Sequence, residues 1–400
     1  MNGPDINKIK KAIKALKIPK EYWGIDLDSF FNYQYNMYIS IRETAGKTTQ
    51  SLILGCVLNS LYPDKYAIEY LRNDNSQIVR AHIENLFNTM ISLGYIEKIY
   101  KNRWNSVTYK TQSRKFFLCN KDEDGTITET APDPICIVHS LETALDAKSG
   151  YTAGGRGNYI ILDEFQDTHR ATYNIFPQFL NYISTIGRPM TEGATDWLHV
   201  LMMGNSTNEY CFYFDEFPGI AEEVPYLKFG GAVTFKTEFG VTGIVRLLEL
   251  SETQKERIKR RNIPFLGFSS KKAAAFTGLT EWSGEDYKHA EFELNYDYCY
   301  FRRCYIKHRG RYIQIDLFND EKIGKFAFLH FANPPQLDDN IIFTIEPESA
   351  TDIYGFGKYE KREKILKICK LIVNLLNEHR IYYASNKVGS LVSDFIKNIK

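Results

Sequence analysis

No stretch of this 400-residue chain approaches the roughly 18 consecutive apolar residues of a membrane-crossing helix. Met1-Asn2-Gly3-Pro4-Asp5 opens nothing like a secretory signal. Cysteine is scarce: seven residues, an odd number, with no Cys-x-x-Cys pair. That argues against a zinc site or a disulfide framework, and reduced thiols in a cytoplasmic setting are expected. Charge of either sign is not in excess, with 50 Lys and Arg against 49 Asp and Glu, +1 overall. Any surface for a polyanion must therefore be local. What remains is a globular balance, 44% apolar and 25% charged, which excludes wholesale disorder and has length enough for two or three domains.

A further absence falls inside the most informative stretch. Met37-Tyr38-Ile39-Ser40 is a short apolar run, and a polar turn follows it. Gly46-Lys47-Thr48 then opens a helical pattern with Leu52, Ile53, Cys56, Val57, Leu58 and Leu61. A buried strand, a loop whose N–H groups face a phosphate, and a helix N-terminus are the parts of a P-loop. In that reading Arg42, Glu43, Thr44, Ala45, Gly46, Lys47, Thr48 and Thr49 cradle ATP. Gly46 lets the backbone approach closely, Lys47 reaches the β- and γ-phosphates, and the Thr48 hydroxyl holds Mg2+. The glycine usual five residues before Gly46 is here Ile41, so this motif alone does not separate a P-loop from an ordinary strand-to-helix turn.

The second half of the signal lies well over a hundred residues downstream. Tyr159-Ile160-Ile161-Leu162 followed by Asp163-Glu164 describes a central strand with two acids at its carboxyl end. In P-loop ATPases the first such acid serves the magnesium shell, and the second orients and deprotonates the attacking water. Adjacent acids of this kind favour the additional-strand class of P-loop ATPases. A third strand, His199 to Met203, ends in Gly204-Asn205, and Asn205 is the candidate sensor of the γ-phosphate. Lys148 and Arg156, in a glycine-rich loop, and Arg188, beyond a helix bearing Phe176, Phe179, Leu180 and Ile183, are basic candidates for a neighbour's nucleotide.

Around these motifs the periodicity alternates strand and helix. The first 25 residues read as a basic amphipathic helix, 66–72 as a buried strand ending in Arg72, and Ile78 to Ile91 as a helix closed by Gly94. Residues 95–120 read as a β-meander and 135–138 as a short strand. A mostly parallel sheet covered on both faces follows for residues 36–210, within an ATPase domain over 1–250. Ser251 to Gln254 form a capping box, and residues 251–272 carry seven basic side chains against two acids, which suits a basic helical linker over 251–290. From 291 to 400 the texture is strands and then two helices. Asp297, Asp316 and Asp394 are the acids that such a domain would offer two metals, but none stands in a recognisable nuclease motif. Arg302, Arg303, Lys307, Arg309 and Arg311, without an acid among them, suit a nucleic-acid or capsid contact.

Tyr38 to Thr48, Tyr70-Leu71-Arg72, Lys148-Ser149, Ile160 to Phe165, Gly204-Asn205-Ser206 and the closing helices together resemble the DNA packaging ATPases of small tailed phages (podoviruses). These form a compact branch of the terminase large-subunit superfamily. The resemblance implies a pentameric ring at the portal vertex of an empty procapsid in the host cytoplasm, hydrolysing ATP to drive double-stranded DNA inward, with an RNA adaptor in some relatives. It implies Lys47 and Thr48 on phosphate and magnesium, Asp163 as the Walker B acid, Glu164 as the catalytic base, and a C-terminal RNase H-like domain that has lost its nuclease. That family commonly carries an arginine three residues before the last glycine; here the place is Glu43, with Arg42 beside it. A cellular DNA helicase or recombination ATPase shares every phosphate-site feature, and the missing glycine also admits an inactive P-loop scaffold.

Overall fold

The computed structural model describes residues 3–19, 24–40, 46–78, 80–142, 156–166, 175–187, 197–205, 211–256, 260, 299–308, 310–322, 324–335, 341–344 and 359–398. The chain divides into two compact units, Met1–Thr207 with Cys211–Ser283, and Asn208–Tyr210 with Gly284–Lys400. Among the described residues no helix is long and apolar enough to cross a membrane.

In the first unit the helix α1 (Ile6–Ala15) and the short α2 (Leu27–Phe30) precede the strand β1 (Tyr35–Ser40), the helix α3 (Lys47–Leu61) and β2 (Ile68–Arg72). Three short helices follow, α4 (Arg80–Glu84), α5 (Asn88–Ser92) and α6 (Tyr95–Ile99), and then β3 (Ser106–Lys110), β4 (Lys115–Lys121) and β5 (Ile127–Ser140). The rest is β6 (Tyr159–Asp163), α7 (Ile175–Gly187), β7 (His199–Asn205), α8 (Phe212–Glu216), α9 (Ile220–Glu223) and the hairpin β8 (Ala232–Lys236) to β9 (Thr242–Leu247). They build a nine-stranded sheet in the order β3-β4-β5-β2-β6-β7-β1-β9-β8. Pairing is parallel from β5 through β9 and antiparallel at the two margins.

The central strands are buried along nearly their whole length because both sheet faces are covered. Successive side chains point to opposite faces, and the two cores divide them accordingly. Tyr38, Tyr70, Tyr159, Ile161, Leu201 and Met203 belong to the core under α1 and α3. Met37, Ile39, Leu71, Ile160, Leu162 and Met202 belong to the core under α7 to α9. α3 is buried from Gln50 through Asn59, so it is a central element and has no polar face over that span.

Several expected elements differ in detail. The single helix from Ile78 to Ile91 is instead broken: Leu86 N–H bonds Ile83 C=O at 2.9 Å and Asn88 N–H bonds Asn85 C=O at 3.1 Å, tight turns that interrupt the α-helical ladder. Gly94, at φ 66°, closes α5 and opens α6, so the expected meander begins eleven residues late. The strand expected at 135–138 is the end of a fourteen-residue strand that β4 extends. Phe212 to Phe214 belong to α8, while β9 lies beside β1 and continues the sheet.

Ser251 does form the capping box: its N–H donates to Gln254 Oε1 at 2.9 Å, and its Oγ accepts from Gln254 N–H at 3.2 Å. Apart from Arg260, residues 257–298 lie outside the described residues, and with them most of the expected linker and Asp297.

The second unit holds the strands β10 (Cys299–His308), β11 (Arg311–Asp320), β12 (Gly324–Ala332), β13 (Ile342–Thr344) and β14 (Ile381–Tyr383), ordered β13-β10-β11-β12-β14. Helices Tyr359–Asn377 and Asn386–Asn398 supply Ile368, Leu375, Val388, Leu391, Val392 and Phe395 to a core with Cys304, Ile313, Ile315, Leu317 and Leu329 from one sheet face. This is the expected α+β texture of strands followed by helices. Asp394 sits on the last helix.

Candidate nucleotide site

Four neighbouring strands end at one level. Ser40 pairs with Asn205, Asp163 with Met203, and Leu71 with Leu162, so Ser40, Arg72, Asp163 and Asn205 are the last residues of β1, β2, β6 and β7. All four fall in the alternation that faces α3. Carboxyl ends of parallel strands are where open α/β sheets bind ligands. Here they deliver a cation, an anion and two neutral polar groups side by side.

The N-terminus of α3 closes the site from above. Gly46 stands at φ 58°, and a Cβ placed on it would meet nothing within 4 Å, so open space rather than packing surrounds this left-handed turn. The Lys47 ammonium donates to Ser40 Oγ at 2.5 Å and to Asn205 Oδ1 at 3.1 Å. Burial pulls its pKa down to about 8, against the opposing pull of the Asp163 and Glu164 charges. A lysine held dry between neutral oxygens is poised for an anion. Thr48 Oγ1 donates to Asp163 Oδ2 at 3.2 Å.

Asp163 is crowded on one oxygen. Its Oδ2 also accepts from the Tyr70 hydroxyl at 2.5 Å and from Arg72 at 3.0 Å, while Oδ1 accepts from no described residue. Burial and the adjacent Asp163 charge push the Tyr70 hydroxyl pKa well up. Burial opposes the charge on Arg72, but the Asp163 carboxylate, Tyr70 and Glu164 outweigh it and hold the guanidinium charged. The second arm of Arg72 forms an ion pair with Glu164, whose side chain is 40% exposed against 5% for Asp163.

Glu164 has φ 58°, a conformation that costs a non-glycine residue roughly 1–3 kcal/mol. The surroundings enforce it. Phe165 N–H bonds Met203 C=O at 3.1 Å, and Asn73 Nδ2 donates to Phe165 C=O at 3.0 Å. Asn73 is itself held by the buried Tyr213 hydroxyl at 3.1 Å. The turn crosses β7 so closely that a Cβ on Gly204 would lie 2.2 Å from Gln166 Oε1, which is why glycine precedes Asn205.

Of the sequence-selected residues, the fold brings Gly46, Lys47, Thr48, Asp163, Glu164 and Asn205 together, and Thr49 follows in the first turn of α3. Arg42, Glu43, Thr44, Ala45, Lys148 and Arg188 lie outside the described residues. Arg156 stands at the other end of β6, paired with Asp133 at 3.3 Å, and does not join the cluster of its own subunit. From sequence, Tyr70 and Arg72 enter only as part of the Tyr70-Leu71-Arg72 strand end, and Ser40 and Asn73 take no role. The arginine closing an apolar run was the available signal. The hydroxyls and the amide give none without the strand order.

The hydroxyl of Thr48 beside the carboxylate of Asp163 is an oxygen donor set suited to Mg2+, and the buried Lys47 suits a polyphosphate.

No protein-family model matches the chain, and no curated protein does. Solved structures do. The Phi-28 gp11 DNA packaging motor is similar over 96% of this chain and 99% of that one, with 16% identity and a TM-score of 0.51. The N-terminal domain of the DNA packaging ATPase from bacteriophage phi29 covers 55% of this chain and 92% of its own, with 14% identity and a TM-score of 0.37. The large terminase of a thermophilic bacteriophage covers 97% of this chain and 80% of its own, with 10% identity and a TM-score of 0.35. Of these three, the first shares its overall fold with this chain, and at such identity a shared fold is what the likeness shows. The expected α/β architecture with a mostly parallel sheet is thereby borne out.

Proposed function

We propose that the chain is the ATPase of a viral DNA packaging motor, coupling ATP hydrolysis to the movement of double-stranded DNA into a preformed capsid. The observation that carries this is the conjunction of a fold shared almost end to end with a DNA packaging motor and the convergence of Lys47, Thr48, Asp163 and Asn205 at the carboxyl ends of the parallel strands.

In this reading Lys47 offsets the charge of the β- and γ-phosphates, and Arg42 to Ala45 complete the loop. Thr48 and Asp163 would hold Mg2+, which when bound neutralises charge on the phosphoryl oxygens. Glu164 takes the proton of the attacking water, and Arg72 positions that carboxylate through the ion pair between them. Asn205, already in contact with Lys47, reads the γ-phosphate from the tip of β7. A cation from an adjacent subunit completes the charge, with Arg188 first and Lys148 and Arg156 next, in a homo-oligomeric ring, a pentamer, docked on the portal. An RNA adaptor belongs to the same proposal. The domains follow as an ATPase domain over 1–250, a basic linker over 251–290 and a vestigial nuclease domain over 291–400 that no longer cuts DNA.

ATPase activity measured with and without double-stranded DNA and empty capsids tests the proposal. Stimulation by DNA that rises further with portal-bearing capsids is expected. Strand displacement without capsid dependence would assign a helicase instead. Mixing Lys47→Ala subunits with Arg188→Ala subunits should restore part of the activity that each lacks alone.

A further inference from the structure

The margin of the ATPase sheet carries a charge pattern that the nucleotide site does not use. Between Lys98 and Lys121 the chain has seven Lys and Arg and no Asp or Glu, in a protein whose net charge is only +1. Three acids, Asp122, Glu123 and Asp124, follow at once. The fold sorts these charges to opposite ends of one hairpin.

β3 is the outermost strand, antiparallel to β4, which is antiparallel to β5. β5 runs parallel to β2, with Ser140 beside Arg72. Lys115 pairs with Ile137, and Val138 N–H donates to Arg114 C=O at 3.0 Å. The turn between β3 and β4 therefore reaches the same end of the sheet as Arg72 and Asp163. The acidic turn after Lys121 reaches the other end. In strand spacings β4 stands about 14 Å from β6, close to the nucleotide site but separate from it.

The turn is pinned. Arg114, at φ 54°, donates its N–H to Thr111 C=O at 3.3 Å, and Ser113 Oγ donates to Lys110 C=O at 3.3 Å. Lys110 is exposed, with its ammonium 4.5 Å from the centre of the Phe117 ring. Arg114 and Lys115 are half-buried. None of the three forms an ion pair with a described residue, whereas Arg103, farther along, is neutralised by Glu129. Clustered cations left without acids on a rigid turn are the footprint of phosphate recognition.

We propose that the β3–β4 turn, through Lys110, Arg114 and Lys115, is a contact for the phosphate backbone of double-stranded DNA on the nucleotide-binding edge of the sheet. It rests on the motor reading above, which supplies the DNA. The contact positions the duplex without reading its sequence, because three point charges carry no base information. Its place beside the strand ends that hold Arg72 and Asp163 puts the DNA contact and the phosphate site on one rigid sheet.

The test is binding of the full chain, with magnesium and a non-hydrolysable ATP analogue, to a fluorescent duplex of about 30 base pairs across a salt series. The variant is Lys110→Gln/Arg114→Asn/Lys115→Gln, in which asparagine tolerates the left-handed backbone at position 114. Each lost phosphate contact removes about 0.9 from the slope of log affinity against log salt, so a slope smaller by about 2–3 and a Kd weaker by roughly 10- to 100-fold are expected. Basal ATPase activity should stay at the wild-type level. Lys98→Gln/Lys101→Gln, toward the opposite end of β3, should bind DNA like wild type.

If wild type binds DNA and the triple variant matches its Kd and slope, the turn is not a DNA contact and the motor reading survives. If wild type binds no DNA, both fall. A loss with duplex RNA but not with DNA would assign the turn to RNA and overturn the proposal. Self-association without a change in DNA affinity would make the cations guards of an edge strand, and that too would overturn it.

Discussion

Asp163 and Asp316 are buried aspartates on interior strands of two different sheets, each paired with an arginine, and they differ in what is left over. Asp163 ends its strand. Thr48, Tyr70 and Arg72 all converge on Oδ2, and Oδ1 accepts from no described residue. Asp316 stands in the middle of β11, where neighbours on its own and the adjacent strands engage both oxygens. Arg303 Nε reaches Oδ1 at 2.9 Å, while Gln314 Nε2 and His330 Nε2 reach Oδ2 at 2.8 and 3.1 Å. Burial raises the Asp316 pKa, but the hydrogen bonds from His330, Arg303 and Gln314 outweigh it and hold the carboxyl below its ordinary range. A strand tip leaves an acid open toward a ligand; a strand middle locks it into the sheet. That contrast is in keeping with the proposal that the chemistry sits in the first unit.

The largest effects should come from breaking the open site. Lys47→Ala is expected to abolish nucleotide binding, read by a fluorescent ATP analogue, because Arg72, the other cation described there, is already paired with Asp163 and Glu164. Glu164→Gln should bind the analogue like wild type while hydrolysis falls by about 10²–10⁴, the usual worth of a general base. Wild-type turnover in Glu164→Gln would remove Glu164 from the chemistry.

How far this site was legible follows from the same geometry. Lys47, Asp163, Glu164 and Asn205 each close or follow a short apolar run, and run length marks a strand end, so these residues were found from the chain alone. Tyr70 looked like one more apolar position in a buried strand, and Asn73 like a loop residue. Their contacts with Asp163 and the Glu164 turn depend on β2 lying beside β6, a non-local pairing that no local pattern encodes. Ser40 was invisible for the same reason, since its place is fixed by Asn205 across β1 and β7. The second unit read differently. Its strands and helices were found by periodicity, but the saturation of Asp316 needs the register that places Arg303 and Phe328 on either side of it. At 78–91 the apolar spacing predicts one continuous helix because that spacing survives short turns that interrupt the ladder.

A middle-sized effect sharpens the view of Lys47 as an anion seat. In the free protein its pKa stands at about 8 because burial penalises the charge. A bound polyphosphate favours the charged form and lifts that value, so binding takes up a proton above pH 8. Affinity for the ATP analogue, as far as this group governs it, should be level up to about pH 8. Above that it should weaken by up to tenfold per pH unit until the pH reaches the pKa of the complex. Calorimetry in buffers of different ionisation enthalpy reads the proton uptake directly. Uptake of no proton near pH 9 would mean that Lys47 does not meet the phosphates.

The smallest effect concerns the closed acid. The hydrogen bond to Asp316 raises the His330 pKa in the folded state, against the effect of burial. A histidine raised by folding contributes stability that is fully present below its unfolded pKa, near 6.5, and is lost as pH rises through the folded value. Asp316, lowered by folding, contributes stability that is present above its unfolded pKa and is lost as pH falls through the folded value. The pair is therefore worth most between those limits, in mildly acidic solution. Because His330 is half-buried, solvent screens the pair and its worth is on the order of 1 kcal/mol or less. Thermal unfolding of the full chain should show the C-terminal transition losing a few degrees from pH 6 to pH 8.5, and His330→Asn should flatten that slope without altering ATPase activity. Supercoiled plasmid with manganese should stay intact in both proteins, since no oxygen of Asp316 is free for a metal. A pH slope that persists in His330→Asn would assign it to another group, and nicking that vanishes in Asp316→Asn would show that the acid is not locked at all.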